Sequence, residues 1–350
     1  MSFSANGKFL ATCAEDRAIF IWNTKDWKER DHKSLRYNVD FDHASHITWS
    51  PDSKAFIYNR SNDKLIEVCK VSRKTDGWIA SVSKALTFPK VHNNETVGLG
   101  IAVNGKYIMS CSSGTDIVLW DLKGSELARL DTYLMNNYTA KISPCGRFIA
   151  ASGFTPDVKV WEVVFSKSGE FKQVARAFEL TGHSSGVWDF AFNADSSKIA
   201  TISKDGSWRL FDTKIEFEKG EEPHLLMSGK HKTDNAKSSL ALSPDGQVIA
   251  LASASNLTFI NLIDGKIDKT ISNIYTGPIT RICFDSAGDY VLTAGEKHVR
   301  VFHNVTGRKA NIQSARTKLQ ASGNSLATKE RLQEIIDKAE AFLTGIGEKV

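Results

Sequence analysis

The sequence predicts an all-β fold, a seven-bladed β-propeller, followed by a short C-terminal helical segment. Three observations predict it. One kind of polar turn recurs seven times, at Gly7, Ser53, Gly105, Gly146, Ser196, Gly246 and Gly288, so that successive turns lie 41 to 52 residues apart. After each turn come two short apolar runs, the second closing on Ile21-Trp22, Val68-Cys69, Leu119-Trp120, Val160-Trp161, Leu210-Phe211, Phe259-Ile260 or Val301-Phe302. These runs are rich in aromatic and β-branched residues, the composition of half-buried strands, and a period of 40 to 50 residues is that of four-stranded propeller blades.

The best-preserved unit is Leu180 to Asp212. Val187–Phe192, Lys198–Ser203 and Ser207–Asp212 read as three strands, and Asp205-Gly206 is a tight hairpin signal because glycine tolerates positive φ. This unit resembles a WD repeat. The resemblance implies a hydrogen-bonded brace of a His before the first strand, a Ser or Thr, a turn Asp and an aromatic in the third strand. Here these are His183, Thr201, Asp205 and Phe211. Phe211 stands where the family usually has Trp and carries no N–H, so the brace is expected to be incomplete.

Taken in order, the chain starts at the end of a first strand, Met1 to Ser4, and runs straight into the turn at Gly7. Blade one is therefore expected to be incomplete at this end, and the last blade to present an open edge unless the C-terminal segment covers it. Repeat two, Ile47 to Val71, is followed by a polar excursion, 72–94, expected to hold an outer strand and a loop. His92 reads as a weak copy of the brace histidine whose following residues do not keep the spacing. Repeat four carries the most distinctive text, Ser-Pro-Cys-Gly-Arg-Phe at 143–148 and Gly-Phe-Thr-Pro-Asp-Val-Lys-Val-Trp-Glu-Val at 153–163. With Met135-Asn136-Asn137, the run 176–182 and the opening 6–22, these words resemble the transducin beta-like branch of WD-repeat proteins.

That resemblance implies a noncatalytic adaptor on the cytosolic side of the endoplasmic reticulum, or in the cytoplasm for a form without the family's upstream anchor. Its implied partners are a stress-sensing kinase and translation factors, with RNA association as a further possibility. No small-molecule substrate or cofactor is implied.

Residues 213–239, between repeats five and six, are polar and charged and read as a mobile loop. The propeller is expected to span 1–308 and a helical tail 309–350. In the tail, Leu332, Ile335, Ile336, Ala339, Phe342 and Leu343 recur at helical spacing over 328–343, with Glu334 and Lys338 paired at i,i+4. This apolar face is expected either to pack on the propeller or to dock on another chain. Lys297, Arg300, Arg308, Lys309, Arg316 and Lys318 form the clearest basic stretch, with no acidic residue among 297–318. It is the candidate for phosphate or RNA contact, although nothing resembles an RNA-recognition motif.

Composition agrees with a globular chain: 350 residues, 41% hydrophobic, 24% charged and a formal net charge of +5. No apolar run reaches the length of a membrane span. The five cysteines, Cys13, Cys69, Cys111, Cys145 and Cys283, show neither disulfide nor zinc spacing, and Cys13 and Cys111 read as core filler in a reducing compartment. The Asn-X-Thr triplets at Asn94, Asn137, Asn256 and Asn304 would stay unmodified there. No HExxH, GxSxG or P-loop is present, so an enzyme is not expected.

Loops entering the first strands and those joining second to third strands open on one face. Asn137, Tyr138, Phe154, Thr155, Trp188 and Lys204 map to that face from repeats four and five, and aromatic anchors beside a cation suit a protein-binding hot spot. The competing reading of Trp188 is packing between blades.

Overall fold

The computed structural model describes residues 1–25, 34–232, 236–321 and 323–348. Among them are seven antiparallel sheets, each a meander of consecutive strands. The inner strands Ser2–Phe3, Ala44–Trp49, Thr96–Ile101, Asn137–Ile142, Val187–Phe192, Ser239–Leu242 and Arg281–Phe284 follow one another around a central channel. Six blades have four strands, and blade seven has three: Arg281–Phe284, Tyr290–Gly295 and His298–His303.

Alternation along each strand is what builds the ring, because successive side chains point to opposite faces of a sheet. In blade five, Ile199 and Phe211 pack against Val160 and Phe178 of blade four. Their neighbours Ala200, Ile202, Trp208 and Leu210 pack the other way, against Leu240, Leu242 and Leu251 of blade six. Each blade thus completes two cores, and burial of each large side chain contributes about 1.5–3 kcal/mol only while its neighbour blade is in place. Cys111 is fully buried in the core between blades three and four and Cys13 is half-buried beside the core of blades one and two, so both act as small apolar fillers.

The seam between blades seven and one is different. Among the described residues the two blades touch sparsely, with Ser286 close to Gly7, and a cleft is lined by Leu10, Phe20 and Trp22 on one side and Val299 and Val301 on the other. Blade one itself has four strands, the first contributing only Ser2 and Phe3. Among the described residues no fourth strand pairs with His298–His303, so blade seven ends at its third strand.

Two departures from the sequence reading concern the connections. The stretch 213–239 is not simply a loop, since His224–Lys230 pairs with Ser207–Asp212 as the outer strand of blade five; 233–235 lie outside the described residues. Two helices follow the last strand, not one. Helix α1 spans Val305–Gln320 and helix α2 spans Leu326–Gly345. Asn304 caps α1 by accepting a hydrogen bond from the Gly307 N–H at 2.9 Å, and Ser325 caps α2 through the Thr328 N–H at 3.2 Å. Thr306 and Lys309 of α1 bind Asp268 on the outer strand of blade six at 2.8 and 3.0 Å, and Arg308 pairs with Asp289 in blade seven. The apolar face of α2 packs on α1, with Ile336, Ala339 and Leu343 buried against Ile312 and Ala315.

Candidate functional site

Blade five holds the expected brace. His183 meets Thr201 Oγ1 through Nε2 at 2.8 Å, and Asp205 Oδ2 and Ser207 Oγ through Nδ1 at 3.2 and 3.0 Å. Phe211 is buried against blade four and gives the network no donor. Burial holds the His183 imidazole below its usual pKa, keeping it neutral. Burial alone would raise Asp205, but hydrogen bonds from Ser207 and the Ser184 N–H, with His183 close by, hold its carboxyl well below the usual range.

The complete brace is in blade three, where the sequence reading discounted His92. His92 Nδ1 lies 2.6 Å from Asp116 Oδ2, His92 Nε2 lies 2.7 Å from Ser110 Oγ, and Trp120 Nε1 donates to Ser110 Oγ at 2.9 Å. One tautomer satisfies every group: the indole N–H donates to Ser110, the Ser110 O–H donates to Nε2, and Nδ1–H donates to the carboxylate. The hydrogen bond from His92 pulls the Asp116 pKa down to about 2. In both blades the histidine is spent on structure and is not a free base.

The six residues assigned to the loop face from sequence divide into three groups. Tyr138 and Trp188 come together, their rings stacked at 4.8 Å and 30°, and the Lys204 ammonium sits 6.0 Å from the Trp188 ring. This stacking across blades four and five arises because Tyr138 and Trp188 each occupy the second position of an inner strand, beside a register shift. Trp188 is half-buried and packs against the core of blades five and six, the competing reading, with the rest of its surface open. Phe154 is 53% exposed, and its N–H is held by Asn136 O. Thr155 is half-buried. Asn137 is buried, its amide bonded to Ser112 O and its carbonyl to Thr132 Oγ1, which leaves it a scaffold residue under the face.

Tyr133 and Met135 enlarge the exposed patch beside Phe154, at 75% and 66% exposure, and both adopt positive φ. The sequence reading did not assign them to it, although three large apolar residues, Tyr133, Leu134 and Met135, in a loop of five were the available signal. Gly153 fixes the loop beneath Phe154: a Cβ there would fall 2.0 Å from Asn136 O.

The basic stretch is largely neutralised. Arg308 pairs with Asp289, Lys309 with Asp268 and Arg316 with Glu340, while Arg300 lies over the Tyr275 ring at 5.1 Å. Lys297 lies in the turn between the last two strands of blade seven and Lys318 in the last turn of α1, so the six residues do not share one face. Among the described residues there is no cluster of His, Cys, Asp and Glu suited to a metal, and no helix long and apolar enough to cross a membrane.

Comparison with known proteins agrees with this geometry. The model of the WD domain, G-beta repeat, matches residues 1–23, 175–212 and 265–303. Human transducin beta-like protein 2 is 44% identical over 349 residues, covering 99% of this chain and 78% of that protein. The mouse protein of the same name is 42% identical over 348 residues with the same coverage, and Drosophila melanogaster WD repeat-containing protein 82 is 24% identical over 292 residues, covering 81% of this chain and 84% of that protein. With seven propeller blades and two family braces in place, the chain belongs to the transducin beta-like protein 2 family of WD-repeat proteins.

Proposed function

We propose that this protein is a noncatalytic adaptor in endoplasmic reticulum stress signalling, docking a segment of a stress-sensing kinase and supporting translational control. Membership of the family and the WD repeats support the broader role, a scaffold for protein partners. The observation that carries the site is the stacked Tyr138–Trp188 pair with Lys204 beside it, next to the exposed Tyr133, Met135 and Phe154. Rigid aromatic rings lose little entropy on binding, and a cation at their edge selects a partner that brings an acidic group to an apolar anchor.

The test is the double variant Trp188→Ala, Lys204→Glu, assayed for kinase recovery from stressed and resting cells. Loss of a hot-spot aromatic costs about 2 kcal/mol or more, roughly a thirtyfold weaker complex, and charge reversal adds to it. Equal recovery by a variant with an unchanged circular dichroism spectrum would place the binding face elsewhere.

A further inference from the structure

The ring brings to its centre basic side chains that lie far apart in the chain. His46 stands on the inner strand of blade two, Lys141 on that of blade four and Arg281 on that of blade seven. They line a cavity of about 220 Å³ together with Ser45, Thr48 and Thr139. The cavity adjoins the wider channel, which Lys237, Asp189 and Glu95 also border.

Glu15, Asp16 and Glu296 border the wider channel as well, but among the described residues no carboxylate lines the small cavity, and there the charges do not cancel. Lys141 pairs with Asp189 at 2.7 Å. Asp189 is then fully used, because Oδ1 also accepts from the Phe190 N–H at 2.8 Å and Oδ2 from the Leu240 N–H at 3.1 Å. Glu95 is exposed at the rim. Among the described residues neither Arg281 nor Lys237 has a carboxylate within 4.0 Å, and Lys237 reaches only the carbonyl of Tyr138, at 3.3 Å. Their mutual effect is visible in the neighbouring groups. Burial first, and then the charges of Arg281 and Lys237, hold His46 well below its usual pKa; burial, with Arg281 and Lys141 nearby, lowers Lys237 against the opposing pull of Asp189.

Uncompensated cations in a walled, narrow space attract counter-ions more strongly than the same charges on an open surface, because low-dielectric walls focus the field. A guanidinium presents a planar fork of donors matched to an oxyanion, and an ammonium adds a point charge. We propose that the central channel binds a small, multiply charged oxyanion of the phosphate class, held by Arg281 and Lys237 with the Thr139 and Ser45 hydroxyls on the surrounding wall. A free small molecule fits this place better than a partner's side chain, since the cavity lies among the inner strands and not among the exposed loops. The inference does not rest on the docking face proposed above.

Inorganic pyrophosphate is the probe, titrated calorimetrically into the protein at fixed ionic strength. One-site binding is expected, weakened about tenfold to a hundredfold by Arg281→Gln or by Lys237→Gln, each of which removes a charged hydrogen-bond donor. Lys123→Gln, on an exposed turn, should bind as the parent does. Circular dichroism checks each fold, and Lys237, whose side chain opens on the wider channel, keeps the test decisive if Arg281→Gln fails to fold. Absence of pyrophosphate binding, or binding that neither channel substitution weakens, overturns the proposal. A parallel titration with a phosphoserine peptide separates the sources: binding of the peptide without binding of pyrophosphate would also overturn it and assign the channel to a partner's phosphorylated residue.

Discussion

Replacing Ser110 by Ala removes a single oxygen from blade three, and the structure specifies what that oxygen does. It accepts from Trp120 Nε1 at 2.9 Å and binds His92 Nε2 at 2.7 Å, in a place with no solvent access. Without it the indole N–H and the imidazole nitrogen both lose their partner. A buried polar group left unmet costs about 1–3 kcal/mol, so the pair gives about 2–6 kcal/mol, with little change in packed volume. Thr201 in blade five is the internal control. Its hydroxyl serves His183 alone, since Phe211 offers no donor, and the near-isosteric Thr201→Val should therefore cost about 1–3 kcal/mol, roughly half as much. Urea denaturation followed by circular dichroism measures both, provided the slopes match that of the parent protein. Equal losses in the two variants, or no loss in Ser110→Ala, would refute the account of Trp120 as the donor that completes the brace.

Other outcomes follow from the same geometry. Asp116 has its folded pKa lowered to about 2, so its contribution is present above the ordinary carboxylate pKa and is lost as pH falls through about 4 towards 2. His183 is lowered as well, so stability should begin to fall earlier, as pH drops through about 6.5, where the unfolded histidine gains a proton that the folded one resists. Midpoints measured between pH 7 and 3 should decline in that order, and a His183→Gln variant should show a smaller early fall, the remainder coming from His46 and His231, whose pKa values burial also lowers. Gly153→Ala should destabilise the protein by about 2 kcal/mol or more and displace Phe154, because the added methyl meets the Asn136 carbonyl at 2.0 Å; an unchanged melting temperature would contradict the loop geometry.

How much of this was legible in the sequence depended on whether a residue's role was local. The seven turns and the apolar strands between them could be read because each turn acts within a few residues, and those strands appear where expected. The brace of blade three was missed for one reason. His92 lies 18 residues before Ser110, the same interval that separates His183 from Thr201, but Asp116 follows His92 by 24 residues where Asp205 follows His183 by 22. Two extra residues in one turn hid a spacing that was otherwise intact. Helix α1 was illegible because its apolar positions, Ala310, Ile312 and Ala315, are few and interleaved with charges that bind the propeller. Asn304 resembled a glycosylation acceptor and is instead a buried helix cap. The outer strand His224–Lys230 is mostly exposed, so it carries no apolar alternation to betray it. The basic side chains of the channel could not be found at all by reading along the chain, since only ring closure brings residues 46, 141, 237 and 281 to one axis.

The placement of α1 also decides where the ring can give. By gripping Asp268 in blade six and Asp289 in blade seven, the helix turns those two blades into one stiff body, and α2 thickens it further. Among the described residues the next joint, between blades seven and one, is the sparsest, so a pulling force is expected to open the ring, and with it the bore of the channel, there first.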